Sequence, residues 1–404
     1  MAQVLISSIG VGNKKEGGYQ RAVYEYEGKK KSTPFVSKAL TEFLEIDKLF
    51  LLGTKGSIWD SVYAEFGGEE EEIELTLWDK KEKNSIDTQD LQIIQNQIDK
   101  FLGKDGSKCF LIEYGVSEEE LWKNFGIYLE ILGYLKEGDE VYIDITHSFR
   151  SLALFGLVMT QFGHTIKEKN FKIAGILYGM FEYKYYNNGI TPIVDLKILY
   201  DLIEWMKAIE NLKRYGNADK IVELLGYEES LEKEKKIFNN FSLSLRMANL
   251  ASIQRNVKKL NDTLHVIQNS SNPIVALLSD ELIDFVQKLN KKKISDFQLA
   301  IAEWFCEHKH YALGYVALIE AIVTKACEIK GYRIDNKMAR NKAKGRMSSI
   351  DKELFAIYRS ANKIRNDICH QIGKREDSLL SDANNLQKYI RDTKHIFGRL
   401  KKKR

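Results

Sequence analysis

Proline is almost missing from this chain: Pro34, Pro192 and Pro273 are the three among 404 residues. Long stretches therefore contain nothing that breaks a helix, and a proline-rich linker or ligand segment is excluded. Cysteine is nearly as scarce. Cys109, Cys306, Cys327 and Cys369 are scattered with no C-x-x-C pair, which fits a reducing compartment and argues against disulfides and a zinc ribbon. No apolar run approaches the ~20 residues of a membrane span, and the N-terminus lacks the basic, apolar and small-residue regions of a signal peptide. A cytoplasmic protein with no membrane partner is expected. The dinucleotide fingerprint G-x-G-x-x-G is also incomplete. Gly10-Val11-Gly12-Asn13 follows the first apolar run, but Lys15 stands where the third glycine belongs, so a nicotinamide enzyme is disfavoured.

What is present is ample apolar material, 44% of residues, in a chain too long for one ordinary core, so two or three domains are expected. The net charge of +4 conceals a split. Residues 291–404 hold 26 Lys and Arg against 13 Asp and Glu, while the first 290 hold 35 against 44. Basic charge gathered at one end suits a polyanionic partner, because phosphate neutralisation supplies most non-specific nucleic-acid affinity. A solvated helical surface with a basic tail at 401–404 explains the same numbers.

Residues 1–195 alternate short β-branched runs (4–9, 48–52, 73–78, 109–114, 140–145 and 171–178) with helical periodicity over 35–46, 87–102, 118–135 and 151–165. This pattern predicts an α/β, Rossmann-like domain whose ligand lies beyond the carboxyl ends of the strands. From 196 onward the signals are helical. An all-α connector over 196–290 and an all-α domain over 291–404 are expected, with a strong helix over 296–330 that breaks near Lys309.

Three loops or helices carry chemistry. Asp144-Ile145-Thr146-His147-Ser148-Phe149-Arg150-Ser151 closes a strand and opens a helix, grouping hydroxyls, an imidazole and a guanidinium where helix-terminal N–H groups also favour anions. Gly53-Thr54-Lys55-Gly56-Ser57 repeats that chemistry after another strand. An N-cap with an incidental arginine is the plainer reading of the first loop. The third feature is the helix over 350–372, where Ile350, Leu354, Ile357, Ala361, Ile364 and Ile368 form an apolar stripe and Arg365, Asn366 and His370 lie off it. A histidine moves protons near neutral pH and a guanidinium neutralises a phosphate in a transition state. Attack of a ribose 2′-OH on its own phosphate needs those two groups. Cys306 and His310, one turn apart, are too few for a metal site, so no metal is expected. Glu307-His308-Lys309 and Glu328-Ile329-Lys330 fall on helices, which disfavours a metal nuclease built on strands.

The order of Ile6-Ser7-Ser8-Ile9-Gly10-Val11-Gly12, the Asp144–Arg150 loop, a helical connector and Arg365-Asn366-Asp367-Ile368-Cys369-His370 resembles the CARF-HEPN ribonucleases of type III CRISPR systems. The resemblance covers the whole chain. It implies a CARF domain over 1–195 that senses cyclic oligoadenylate, with the tetra-adenylate ring favoured over the hexa-adenylate. It also implies a HEPN domain over 291–404 that cuts single-stranded RNA without metal, leaving 2′,3′-cyclic phosphate and 5′-hydroxyl ends. Ligand contacts carried over are Ser7, Gly10, Thr54, Thr146, His147, Ser148 and Arg150; the catalytic set is Arg365, Asn366 and His370. A homodimer or higher even oligomer is implied, a two-fold ligand suiting a two-fold interface. The alternative is a non-catalytic regulator that responds to a cyclic nucleotide and binds nucleic acid.

Overall fold

The computed structural model describes residues 1–12, 14–15, 18–147, 150–165, 171–226, 231–270, 273–369 and 377–402. The chain divides into two compact units, Met1–Asp201 and Leu202–Arg404. In the first, ten strands are described: β1 (Gln3–Ser8), β2 (Lys14–Lys15), β3 (Gly18–Tyr19), β4 (Ala22–Tyr26), β5 (Lys29–Thr33), β6 (Lys48–Gly53), β7 (Lys108–Leu111), β8 (Glu140–Asp144), β9 (Lys172–Gly179) and β10 (Ile190–Asp195). Eight form one sheet in the order β5-β4-β10-β9-β8-β1-β6-β7, while β2 and β3 pair separately. From β7 to β9 all neighbours run parallel. β10 is antiparallel to β9, and the β4–β5 hairpin extends that edge.

The parallel strands are apolar on both faces because both faces are covered. In β1, Leu5 enters one core while Val4 and Ile6 enter the other; in β6, Leu49 and Leu51 part from Phe50 and Leu52 in the same alternation. Helices Val36–Phe43, Trp59–Glu65 and Thr88–Leu102 supply the first core, and Glu118–Tyr134 and Arg150–Thr165 the second. The helix starts are chemically marked. Asp87 forms a capping box with Asp90, and the Ser117 hydroxyl accepts from the Glu120 N–H.

One expected strand is wrong. Residues 73–78 lie inside the helix Glu71–Glu82, where only Leu77 is buried. Glu71, Glu72 and Glu74 in its first turn and Lys80 and Lys81 in its last complement the helix dipole, and that charge arrangement outweighs a short β-branched run. The β4–β5 hairpin and β10 were not expected from the sequence. β5 reads Lys-Lys-Lys-Ser-Thr, mostly exposed, and so shows no apolar alternation.

Beyond Asp195 every described regular element is a helix, with one contiguous core in the second unit. The expected break near Lys309 is real: helices Ile294–Glu307 and Tyr311–Lys330 flank it, and Lys309 has φ 64°. Gly331, at φ 67°, ends the second of these. Lys325, 3% exposed, lies 4.6 Å from the centre of the Phe397 ring and faces Asp296, joining three helices through one buried cation. Among the described residues no helix is long and apolar enough to cross a membrane.

Candidate functional site

The strand order reverses direction of growth between β1 and β8, and such switch points open a crevice at the carboxyl ends of the strands. Register places Ser7 beside Asp144 there. The Ser7 hydroxyl donates to Asp144 Oδ2 at 2.5 Å, and the Thr146 N–H donates to Oδ1 at 2.9 Å. Burial raises the Asp144 carboxyl above its ordinary value, and the nearby His147 and these donors pull it back. Thr146 in turn accepts from the Gly179 N–H at 2.8 Å, tying the loop after β8 to the end of β9.

His147 is held by its Nε2 atom. That nitrogen accepts from the Val36 N–H at 3.3 Å and lies 3.2 Å from the Tyr24 hydroxyl. A backbone N–H can only donate, so Nε2 carries no proton and the ring is neutral. Burial lowers the His147 pKa in the same sense, while Asp144 opposes it.

The loop after β6 serves a different purpose. Ser57 Oγ accepts from the Thr54 N–H at 2.9 Å and donates to the Ile9 carbonyl at 3.1 Å, and Trp59 Nε1 donates to the Thr54 carbonyl at 2.8 Å. A Cβ on Gly53 would come within 2.6 Å of Trp59 and 2.8 Å of Ile9, so only glycine allows this loop to support the one after β1.

A pocket of about 350 Å³ occupies the crevice. Of the expected ligand residues, Gly10, Thr146 and His147 line it; Ser7, 1% exposed, and Thr54, 2% exposed, do not. Their hydroxyls are spent on internal bonds. Ser148 lies outside the described residues, and Arg150 is the first residue of its helix. The sequence reading missed the aromatic side of the pocket, Tyr24, Tyr178 and Phe181, and two polar neighbours, Gln20 and Glu182. Gln20 and Tyr24 come from the unread hairpin edge, Tyr178 from the end of the expected strand β9, and Phe181 and Glu182 from the short helical turn Phe181–Tyr185 that follows it; for the hairpin residues, recognition of β4 as a strand beside β10 was the missing signal. Burial raises the Tyr24 hydroxyl pKa strongly, keeping it a neutral hydrogen-bonding group. Aromatic faces with a few polar edges suit planar bases, and two helix-opening loops suit phosphates.

In the second unit, Leu354, Ile357, Ala361 and Ile364 are buried on helix Lys352–Cys369, as the stripe requires. Ile368, expected in that stripe, is instead 41% exposed. Arg365 and Asn366 are half-buried off the stripe, and Arg365 Nη2 donates to Asn362 Oδ1 at 2.7 Å. Tyr358, two turns back on that face, also feels the Arg365 guanidinium. Asn362 and Tyr358 precede Arg365 by three and seven positions, a spacing legible in the sequence that was not used. His370 lies outside the described residues. Among the described residues no group of three or more His, Cys, Asp and Glu is placed to hold a metal ion.

Residues 4–188 match the family model of the CARF domain of the CRISPR system endoribonuclease Csx1, and residues 201–296 match that of the second domain of the CRISPR-associated protein MJ1674. The CRISPR-associated protein MJ1674 of Methanocaldococcus jannaschii is 32% identical over 431 residues, covering 98% of this chain and 66% of that protein. The chain thus spans just under two thirds of that relative's length. The structure of Enterococcus italicus Csm6 bound to cyclic hexa-2′-fluoro-hexa-dAMP aligns over 99% of this chain and 94% of that one, with a TM-score of 0.45 and 10% identity.

Proposed function

The chain belongs to the CARF-containing CRISPR-associated proteins, and from that premise we propose that it is a cyclic-oligoadenylate-activated, metal-independent ribonuclease of type III antiviral defence. The observation that carries the sensing half is the switch-point pocket between the loops after β1 and β8, inside the segment matched as CARF. Gly10, Thr146 and His147 meet the ligand there, with Tyr24 and Tyr178 offering faces to adenine bases. Ser7 and Thr54 act one step back by shaping the loops. Ser148 and Arg150, from the same loop, complete the proposed contacts.

The cutting half rests on helix Lys352–Cys369, which presents Arg365 and Asn366 together and leads directly to His370 in the sequence. His370 moves the proton of the attacking 2′-OH, Arg365 neutralises the charge that builds on phosphorus, and Asn366 orients them. Attack of the 2′-oxygen breaks the bond to the 5′-oxygen, leaving a 2′,3′-cyclic phosphate and a 5′-hydroxyl. The site is composite, one helix from each protomer of a homodimer. Ligand binding shifts the dimer toward the state in which the two helices approach. The domain roles are sensing for 1–195, connection for 196–290 and cutting for 291–404.

Cleavage of a fluorescent single-stranded RNA in EDTA, with no ring, with cyclic tetra-adenylate and with cyclic hexa-adenylate, tests the reading. Ring-dependent cutting that ignores the chelator is expected, with the tetra-adenylate the stronger activator. No cutting under any condition would leave a nucleic-acid-binding regulator in its place.

A further inference from the structure

Five of the ten residues from Lys337 to Arg346 are Lys or Arg, and no Asp or Glu stands between Asp335 and Asp351. Helix Lys337–Gly345 carries four of the five, and its fully buried Ala343 fixes which side faces the core. Lys337, Lys342 and Arg346 are left exposed, and Lys344 half-buried. One cation is engaged: Arg340 pairs with Glu320 and donates to the Thr324 hydroxyl at 3.3 Å, anchoring the helix on Tyr311–Lys330. The other four have no carboxylate partner among the described residues. Elsewhere such a cluster is neutralised, as where Lys30 and Lys31 on β5 meet Glu25 and Glu42. Like charges gathered on one short helix repel one another, and a polyanion relieves that repulsion.

An aromatic ring sits among these charges. Arg346 Nη1 donates to the Tyr332 hydroxyl at 2.9 Å, and Lys342 Nζ stands 5.4 Å from the centre of the Tyr332 ring. Tyr332, half-buried just beyond the helix end at Gly331, is therefore flanked by two cations. Cations beside an aromatic face suit a single strand, whose phosphates meet the charges while a base stacks on the ring. An acidic peptide would use the charges and leave the ring idle. Helix Lys352–Cys369, which carries Arg365, packs on the same helix Tyr311–Lys330 that Arg340 grips.

We propose that Lys337, Lys342, Lys344 and Arg346, with Tyr332, form a docking surface for single-stranded RNA that holds the strand by its phosphates and by one stacked base. The surface reads no sequence, because charges and a ring face carry no base-specific edge. RNA as the occupant rests on the ribonuclease reading; the unneutralised cations and the ring between them do not.

The test is binding, which needs no cutting. An end-labelled 2′-O-methyl RNA of mixed sequence, which offers no 2′-OH for attack, is titrated with the full chain at several salt concentrations and followed by anisotropy. Affinity for a single strand falls with salt at a log–log slope of about −0.7 per phosphate neutralised. The triple variant Lys337→Gln, Lys342→Gln and Lys344→Gln should therefore make the slope shallower by about 2 and weaken binding about tenfold or more at low salt. Tyr332→Leu should weaken binding about fivefold or more with the slope unchanged, and Tyr332→Phe, which keeps the ring, should stay within about twofold of wild type. The lysine variant alters only surface side chains, so it decides the question even where Tyr332→Leu does not fold. Lys291→Gln, Lys292→Gln and Lys293→Gln together remove the same charge from the same unit and should move the slope by less than about half as much. Equal changes from the two triple variants, or an unchanged slope in the first, overturn the proposal. Labelled poly-glutamate of equal length that binds wild type as tightly as the RNA overturns RNA as the occupant. Wild type that binds no RNA overturns the surface and the ribonuclease reading together. Loss of RNA from the first triple variant, with no cutting of ordinary RNA by wild type, would sink the ribonuclease reading and leave the surface standing. Cutting by wild type with undiminished RNA binding in that variant would sink the surface alone.

Discussion

The Ser7 hydroxyl donates to Asp144 across the junction of two neighbouring parallel strands, at 2.5 Å and fully within the core. That bond fixes the two loops that frame the switch-point pocket, one after each strand. Ser7 is therefore placed to support the pocket, joined to Thr146 through Asp144, which also accepts from the Thr146 N–H.

Ser7→Ala leaves one oxygen of a buried carboxylate without its donor, so it should cost about 1–3 kcal/mol of stability. Thermal unfolding reads this as a lower midpoint, with ring affinity by calorimetry changed less than about twofold. An unchanged midpoint with lost ring binding would put Ser7 in direct contact with the ligand.

Gly12 lines the pocket at φ 69°, and a Cβ there would stand 2.6 Å from Ile58 and 2.8 Å from Tyr19. Gly12→Ala is strained and narrows the pocket. We expect about a tenfold or greater loss of ring affinity in calorimetry, whereas binding at wild-type strength would remove this pocket as the ligand site.

His147 is neutral in the fold, its pKa lowered from 6.5 by burial with Nε2 already accepting an N–H. The unfolded chain takes up a proton near pH 6.5 that the folded chain refuses. Stability is therefore present above 6.5 and lost as pH falls below it, by up to about 1.4 kcal/mol per pH unit. Asp144, raised by burial, works in the opposite direction, so the quantity to measure is wild type minus His147→Gln in denaturant unfolding from pH 7.5 to 5.5. The difference should shrink on the acid side; a flat difference would mean that the folded chain binds this proton as readily as the unfolded one.

Arg365→Ala and His370→Ala should each lower ring-stimulated cleavage by about 100-fold or more, with ring binding intact. Asn362 aligns the guanidinium from one turn away, so Asn362→Ala should cost less, about three- to tenfold in kcat with KM nearly unchanged. Equal losses from Asn362→Ala and Arg365→Ala would indicate that Asn362 itself touches the RNA.

The doubly apolar strands around Leu5, Leu49 and Val141 were legible because burial on both faces leaves no alternation to misread, and the helix Lys352–Cys369 because its stripe recurs at i, i+4 and i+7. Residues 73–78 misled because five of the six are β-branched or apolar and fit either period, while most of the charge that decided for a helix, Glu71 and Glu72 before the run and Lys80 and Lys81 after it, lies outside it. The motif loops do lie at the carboxyl ends of the strands, where a pocket opens, yet Thr54 and Ser7 look the same in sequence as Thr146. The Ser7 hydroxyl is spent on Asp144, 137 positions away, and that of Thr54 on Ser57 in a turn whose closure the spacing does not announce. Tyr24 was invisible because β4 reaches the pocket only when β10 joins it to β9, whereas Tyr178 ends a strand that was expected and was passed over as a ligand residue.

The sequence alone determined an α/β half followed by a helical half, most of the parallel strands, and the location of the chemistry-bearing loops at strand ends and on one helix face. Local patterns suffice for that, because periodicity and capping act within a few residues. The tertiary structure alone decided that His147 meets the pocket with a ring nitrogen already engaged and that Ser7 and Thr54 turn inward. Ser7 and His147 meet partners more than a hundred positions away, and Thr54 bonds to a Ser57 that is itself held by Ile9; only packing of the whole chain settles which polar groups find partners and which remain for a ligand.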